Sequence, residues 1–187
     1  AGPVAWDCSR SPEISLAEIA APMQHSEGHR YRVVALQTDV FETFYAIVFY
    51  PPASYRSLYV AGAPVVVSSR KRIGIVKSWA SKPSAYIPVN VGVVKVQPVH
   101  PGWVAAGYAT PGTHDAAGPQ TAASLAVALD FALRRITTVD GLHLRDLVNR
   151  DICTGAVAVL GASSSGITAA TTLSEYTAQL QGRLVGM

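Results

Sequence analysis

Serines and histidines are the side chains of this sequence best suited to chemistry. Gly161-Ala162-Ser163-Ser164-Ser165-Gly166 gathers three hydroxyls between two glycines. The run departs from the G-x-S-x-G turn that presents a nucleophile, because Ser165 stands where the second glycine belongs. It departs equally from the phosphate-binding G-x-x-x-x-G-K-[ST], which needs a lysine where Ile167 stands. A polar loop ahead of a helix is the resulting expectation. An imidazole titrates near neutral pH and can serve as a general base. His114, with Asp115 beside it in a Gly/Pro-rich loop, is one such candidate; His100 and His143 are others. His25 and His29 are four residues apart, but no cysteine or carboxylate is placed to finish a metal site. Neither a metal nor a cofactor is therefore expected.

Charge marks a second candidate region. No carboxylate occurs between Glu42 and Asp115, a stretch carrying Arg56, Arg70, Lys71, Arg72, Lys77, Lys82 and Lys95. A segment of one sign creates a local positive field whatever the fold. One reading is a solvated sheet face, or an edge strand guarded against self-pairing. The other is an anion-binding surface formed by Arg70, Lys71, Arg72, Lys77 and Lys82, facing RNA, a phosphate or an acidic peptide. Trp79 adds one base-stacking aromatic, but no RNA-binding motif accompanies it.

These residues sit on a chain of 187 residues that is 49% hydrophobic and 14% charged. That composition excludes disorder, collagen and coiled coil, and it provides for a packed core. No apolar run reaches the ~18 residues a membrane helix needs, so no membrane partner is expected. Two cysteines, Cys8 and Cys153, exclude a disulfide framework while leaving room for one bridge. The chain opens at Ala1-Gly2 without methionine or an apolar leader, which fits release from a larger polypeptide; the compartment is not indicated.

The pattern divides into two parts. Ser11-Pro12-Glu13 reads as the start of a short helix that Pro22 ends. The runs 31–37, 42–50, 57–67, 72–79 and 86–97 are rich in Val, Ile, Tyr and Phe, and they read as strands. Trp103 to Tyr108 reads as another. Thr121 to Arg135 is an Ala/Leu-rich helix with no Gly or Pro, and 141–149 a short helix or turn. A strand over 152–160, broken by Thr154-Gly155, a helix over 169–181 and a short strand over 183–185 complete the reading. The expectation is one α+β domain over 1–187, with a β-rich part over 1–88 and a helix–strand–helix–strand part over 89–187.

The second part resembles a known family. Ala109-Thr110-Pro111, Asp115 and Gly118-Pro119 before an Ala/Leu helix are similar to the active-site loop and helix of Lon-type proteases. Asp151-Ile152-Cys153-Thr154-Gly155 and Gly161 resemble that family's Thr-Gly strand and following glycine. Thr154-Gly155-Ala156 is as close to the birnavirus polyprotein-processing proteases, and the resemblance covers roughly 90–187.

Both families imply a Ser–Lys dyad, in which burial lowers the lysine's pKa so that it can accept the serine's proton. Here the serine column falls on Gln120 or Ala122, and no lysine follows Lys95. The resemblance then leaves Thr121 and Ser124 as displaced nucleophiles and His114 or Thr172 as stand-ins for the base. Backbone N–H groups around Gly118 and Gln120 would face the oxyanion. It implies a divergent endopeptidase, of the viral polyprotein-processing kind, acting on a polypeptide. The alternative is a protein of that fold without catalysis, working by self-association or by binding an anionic partner through its basic segment.

Overall fold

The computed structural model describes residues 30–51, 62–69, 92–105, 107–148, 151–161 and 164–180. Its centre is a five-stranded sheet built from β1 (Arg30–Leu36), β2 (Phe44–Tyr50), β3 (Ala63–Ser68), β4 (Val94–Pro98) and β7 (Ile152–Leu160), in the order β1-β2-β4-β3-β7. β1 and β2 pair antiparallel, as do β2 and β4. β4, β3 and β7 run parallel. Val104–Ala105 and Tyr108–Ala109 form β5 and β6 of a small hairpin. Among the described residues there are three helices: α1 (Pro119–Ala132), α2 (Leu144–Val148) and α3 (Ser164–Leu180).

Period-two alternation sends Phe44, Ala46 and Val48 of β2, Val65 and Val67 of β3, and Val94 and Val96 of β4 to one face. Leu125, Leu129 and Phe131 of α1 close that face. The other face of β2 carries Ile47 and Phe49, which pack with Val99, Trp103 and Ala105. All five residues of β4 are buried, as a strand covered on both sides must be. Lys95 is among them, its ammonium 5.0 Å from the centre of the Phe49 ring.

The mixed sheet bears out the expected combination of helix and strand, and most described elements fall where the residue patterns place them. Three details differ. The 152–160 strand is continuous; its Thr154-Gly155 interruption becomes a register shift, with Pro64 opposite Cys153 and Val65 opposite Val157. The 103–108 strand is instead a hairpin of two-residue strands. The last helix starts at Ser164, five residues early, so Ser164 and Ser165 belong to it. Cys153 is buried and disulfide-bonded. The helix at 11–22, the strand at 72–79, the terminal strand at 183–185, Cys8 and the basic cluster Arg70, Lys71, Arg72, Lys77 and Lys82 lie outside the described residues. Among the described residues no helix is long and apolar enough to cross a membrane.

Candidate active site

Ligand sites in open α/β sheets lie beyond the carboxyl ends of the parallel strands. Here the three parallel strands each deliver polar residues to that edge. β3 ends into Ser69, β4 into His100, and β7 into Gly161 and the turn that starts α3. Ser69, His100, Trp103, His114, Thr121 and Ser164 line one cavity there, of about 230 Å³. A larger open groove of about 450 Å³ runs past Phe41, Pro111 and Ala123, but among the described residues Glu42 is the one titratable side chain on its walls. The reactive groups belong to the smaller cavity.

The end of β7 lies close against the start of α3. A Cβ on Gly161 would lie 2.3 Å from the Ser165 carbonyl oxygen and 2.9 Å from the Gly166 Cα. Only glycine permits that approach of strand end to helix start, which is the packing role a glycine plays in a nucleophile-bearing turn. Ser164 is half-buried as the first helical residue, and Ser163 lies outside the described residues.

α1 organises the other wall. Pro119 opens it, where a missing N–H costs nothing. Its N-cap, Gly118, has no side chain, and Asp115 does the capping from three residues upstream. Asp115 accepts the Gln120 N–H at 2.7 Å and the Thr121 N–H at 3.1 Å. The Thr121 hydroxyl also donates to it. Gly118 makes room for the carboxylate, since a Cβ there would sit 2.7 Å from it. Burial works to raise the Asp115 carboxyl, but these hydrogen bonds outweigh it and hold the group below its ordinary value. The cap costs backbone strain, for Ala116 and Ala117 adopt φ of 49° and 83° on the cavity wall. Asp115→Ala should therefore lower stability by about 1–2 kcal/mol, read by denaturant unfolding.

Two imidazoles hang on α1 through hydroxyls, and proton counting fixes both. Ser124 Oγ donates to the Thr121 carbonyl at 2.8 Å, so it can only accept from His100 Nδ1, 2.6 Å away. His100 thus carries its proton on Nδ1 and offers Nε2 to the Ser69 hydroxyl, at 3.3 Å. Burial above all, then the nearby His114 ring, pushes the His100 pKa down to about 3, with Asp115 pulling the other way. His100 is neutral at pH 7. Thr121 Oγ1 gives its own proton to Asp115, so the 3.5 Å contact from His114 Nδ1 needs the proton on that nitrogen. His114 Nε2 is left as the basic nitrogen. The Trp103 ring sits 4.8 Å from His100 and 5.0 Å from His114, centre to centre, and holds both imidazoles against one surface.

Thr121, Ser124 and His114 are thus brought together, but as a hydrogen-bonded scaffold. Thr121 and Ser124 are almost wholly buried, and both hydroxyl protons are committed. The Gly118 and Gln120 N–H groups are both donated to Asp115. Thr172 is buried, with its hydroxyl on the Ala122 carbonyl, tying α3 to α1. His143 stands ahead of α2, where its N–H bonds Asp146. Among the described residues no group of three His, Cys, Asp or Glu side chains is arranged to hold a metal ion. Sequence reasoning missed Ser69 and Trp103. It also placed Ser164 and Ser165 ahead of the last helix, whereas they begin α3.

No family model matches the sequence, and no curated protein sequence matches it significantly. Solved structures do. The chain superposes on a variant of the rice cell wall degrading esterase LipA from Xanthomonas oryzae with a TM-score of 0.58 at 19% identity, covering 90% of this chain and 44% of that one. It is similar to a Rhizomucor miehei esterase with a TM-score of 0.56 at 16% identity, covering 89% of this chain and 44% of that one. The chain therefore spans less than half the length of the esterases it resembles, and within that span it has their α/β-hydrolase fold. This corrects the Lon and birnavirus resemblance. The cues for it were a glycine-bounded loop, an Ala/Leu helix and a glycine after a strand. In the structure those residues do other work: Asp115 and Gly118 cap α1, and Gly161 packs a strand end against a helix.

Proposed function

We propose that the chain carries the nucleophile-bearing part of a serine esterase. The observation that carries this reading is the close approach of Gly161, at the end of β7, to Ser165 at the start of α3, at the carboxyl edge of three parallel strands and beside a cavity that also holds an oriented histidine. In the mechanism, a hydroxyl of Ser163 or Ser164 attacks the carbonyl carbon of a carboxylic ester. In sequence Ser163 is the third residue counted from Gly161, the position at which G-x-S-x-G motifs carry the nucleophile. His114 Nε2 takes the proton and later returns it to the leaving alcohol. Its Nδ1–H faces the Thr121 hydroxyl and, through it, the Asp115 carboxylate, which stabilises the imidazolium as it forms. The first N–H groups of α3 point toward the oxyanion at the positive end of that helix. Water then attacks the acyl-enzyme by the same route.

The test is hydrolysis of p-nitrophenyl acetate and butyrate by the full chain, with Ser163→Ala, Ser164→Ala and His114→Gln beside it. One serine variant and the histidine variant should each lose at least about 10³-fold in kcat. A parent without turnover, or turnover that survives in both serine variants, refutes the reading.

A further inference from the structure

Trp103 carries a buried polar atom that the fold does not use. It lies between β4 and β5, 8% exposed, and packs with Ile47, Phe49, Val99 and Ala105. Among the described residues nothing accepts a hydrogen bond from its indole Nε1–H, although that nitrogen is buried. A buried donor without a partner is destabilising, and a phenylalanine would fill much of the same apolar space without it. What the indole offers beyond a phenyl ring is the strongest attraction for a cation among aromatic side chains. A site for such a cation lies next to it. The Trp103 and His114 ring centres are 5.0 Å apart, inside the roughly 6 Å over which that attraction acts, and both residues line the cavity.

Resting on the esterase reading, we infer that Trp103 is a positioning residue whose indole stabilises the imidazolium formed at His114 when that ring takes the nucleophile's proton. Two titratable groups flank His114 among the described residues. Asp115 faces it through the Thr121 hydroxyl, and the His100 ring centre lies 6.3 Å away. Asp115 is ionised at neutral pH, its hydrogen bonds holding it below its ordinary value. His100 stays neutral, chiefly because burial bars its charge, so no second imidazolium opposes the first. The new charge is therefore met by a carboxylate on one side and by the indole on another. An aromatic ring attracts a neutral imidazole far less than a charged one. The interaction strengthens as the proton moves, so it raises kcat without tightening substrate binding.

The experiment follows kcat/KM for p-nitrophenyl acetate from about pH 5.5 to about pH 8.5 in the parent chain, Trp103→Phe and Trp103→Leu. On the plateau above neutral pH the leucine variant should lose about 30-fold and the phenylalanine variant about 5-fold, with KM little changed. Toward the acid end the three profiles should draw together. There His114 is charged before substrate arrives, so the starting state and the transition state lose the same attraction. Thermal unfolding should place the phenylalanine variant close to the parent, because the unpartnered N–H leaves with the lost ring volume. Plateau activity equal to the parent's in both variants overturns the inference and leaves the esterase reading standing. Loss by one constant factor at every pH also overturns it, since the indole would then serve packing alone. If the leucine variant does not fold, the phenylalanine profile decides by the same two criteria. A parent that hydrolyses no ester sinks both readings.

Discussion

Gly161→Ala should be among the most damaging single-methyl additions to this protein. The new Cβ would meet the Ser165 carbonyl carbon at 2.7 Å and its oxygen at 2.3 Å, both backbone atoms of α3. Neither can rotate aside, so the strand end and the helix start must separate. Overpacking against backbone costs about 3 kcal/mol or more, which for a chain of this length lowers Tm by roughly 6–12 °C. Turnover should be lost as well, because the displaced helix start carries the proposed oxyanion donors. Gly166→Ala is the internal control. A Cβ there finds its nearest neighbours at 3.6 and 3.8 Å, ordinary contact distances, and alanine favours the helix it sits in. Melting curves of the two variants should therefore diverge sharply. Equal melting temperatures would show that the turn is not packed as described.

That contrast also shows which parts of the molecule were legible in the sequence. Strands over 30–36, 44–50 and 152–160 announce themselves through β-branched and aromatic runs, and α1 through its Ala/Leu composition. Local propensity sets these, so local reading finds them. Sheet order is another matter. β7 lies beside β3 although some 85 residues separate them, and no local pattern records that pairing. The site depends on it, because only with β3, β4 and β7 adjacent do Ser69, His100 and the serine turn share one cavity. Thr121, Ser124, His114 and Asp115 could be singled out early because they are near one another in sequence. Their roles could not. Whether a hydroxyl attacks or merely passes on a hydrogen bond is decided by where its proton points; Thr121 commits its proton to Asp115 and Ser124 to the Thr121 carbonyl.

The buried imidazole gives the second large effect, a loss of stability in mild acid. His100 has a folded-state pKa of about 3 against an ordinary 6.5, so between those values the unfolded chain binds a proton that the native state refuses. Where the unfolded state binds more protons, stability rises with pH; it must fall as pH drops below 6.5. The slope approaches about 1.4 kcal/mol per pH unit, or about 2 kcal/mol between pH 6.5 and 4.5. Asp115 adds in the same direction but later, since its depressed carboxyl stays ionised until the pH passes below the ordinary carboxylate value of 3.8. The two windows are therefore separable. His100→Asn keeps an N–H donor for Ser124 while removing the titrating ring. Urea unfolding at pH 6.5, 5.5 and 4.5 should show the parent losing stability steadily and the variant losing about 2 kcal/mol less across that range. The variant starts from a lower stability at neutral pH, because Ser69 loses its acceptor, so the comparison rests on slope rather than on height. Parallel slopes would mean that His100 takes up its proton as freely when folded as when unfolded. The neutral Nδ1–H imidazole that holds Ser69 and Ser124 apart would then have to be abandoned.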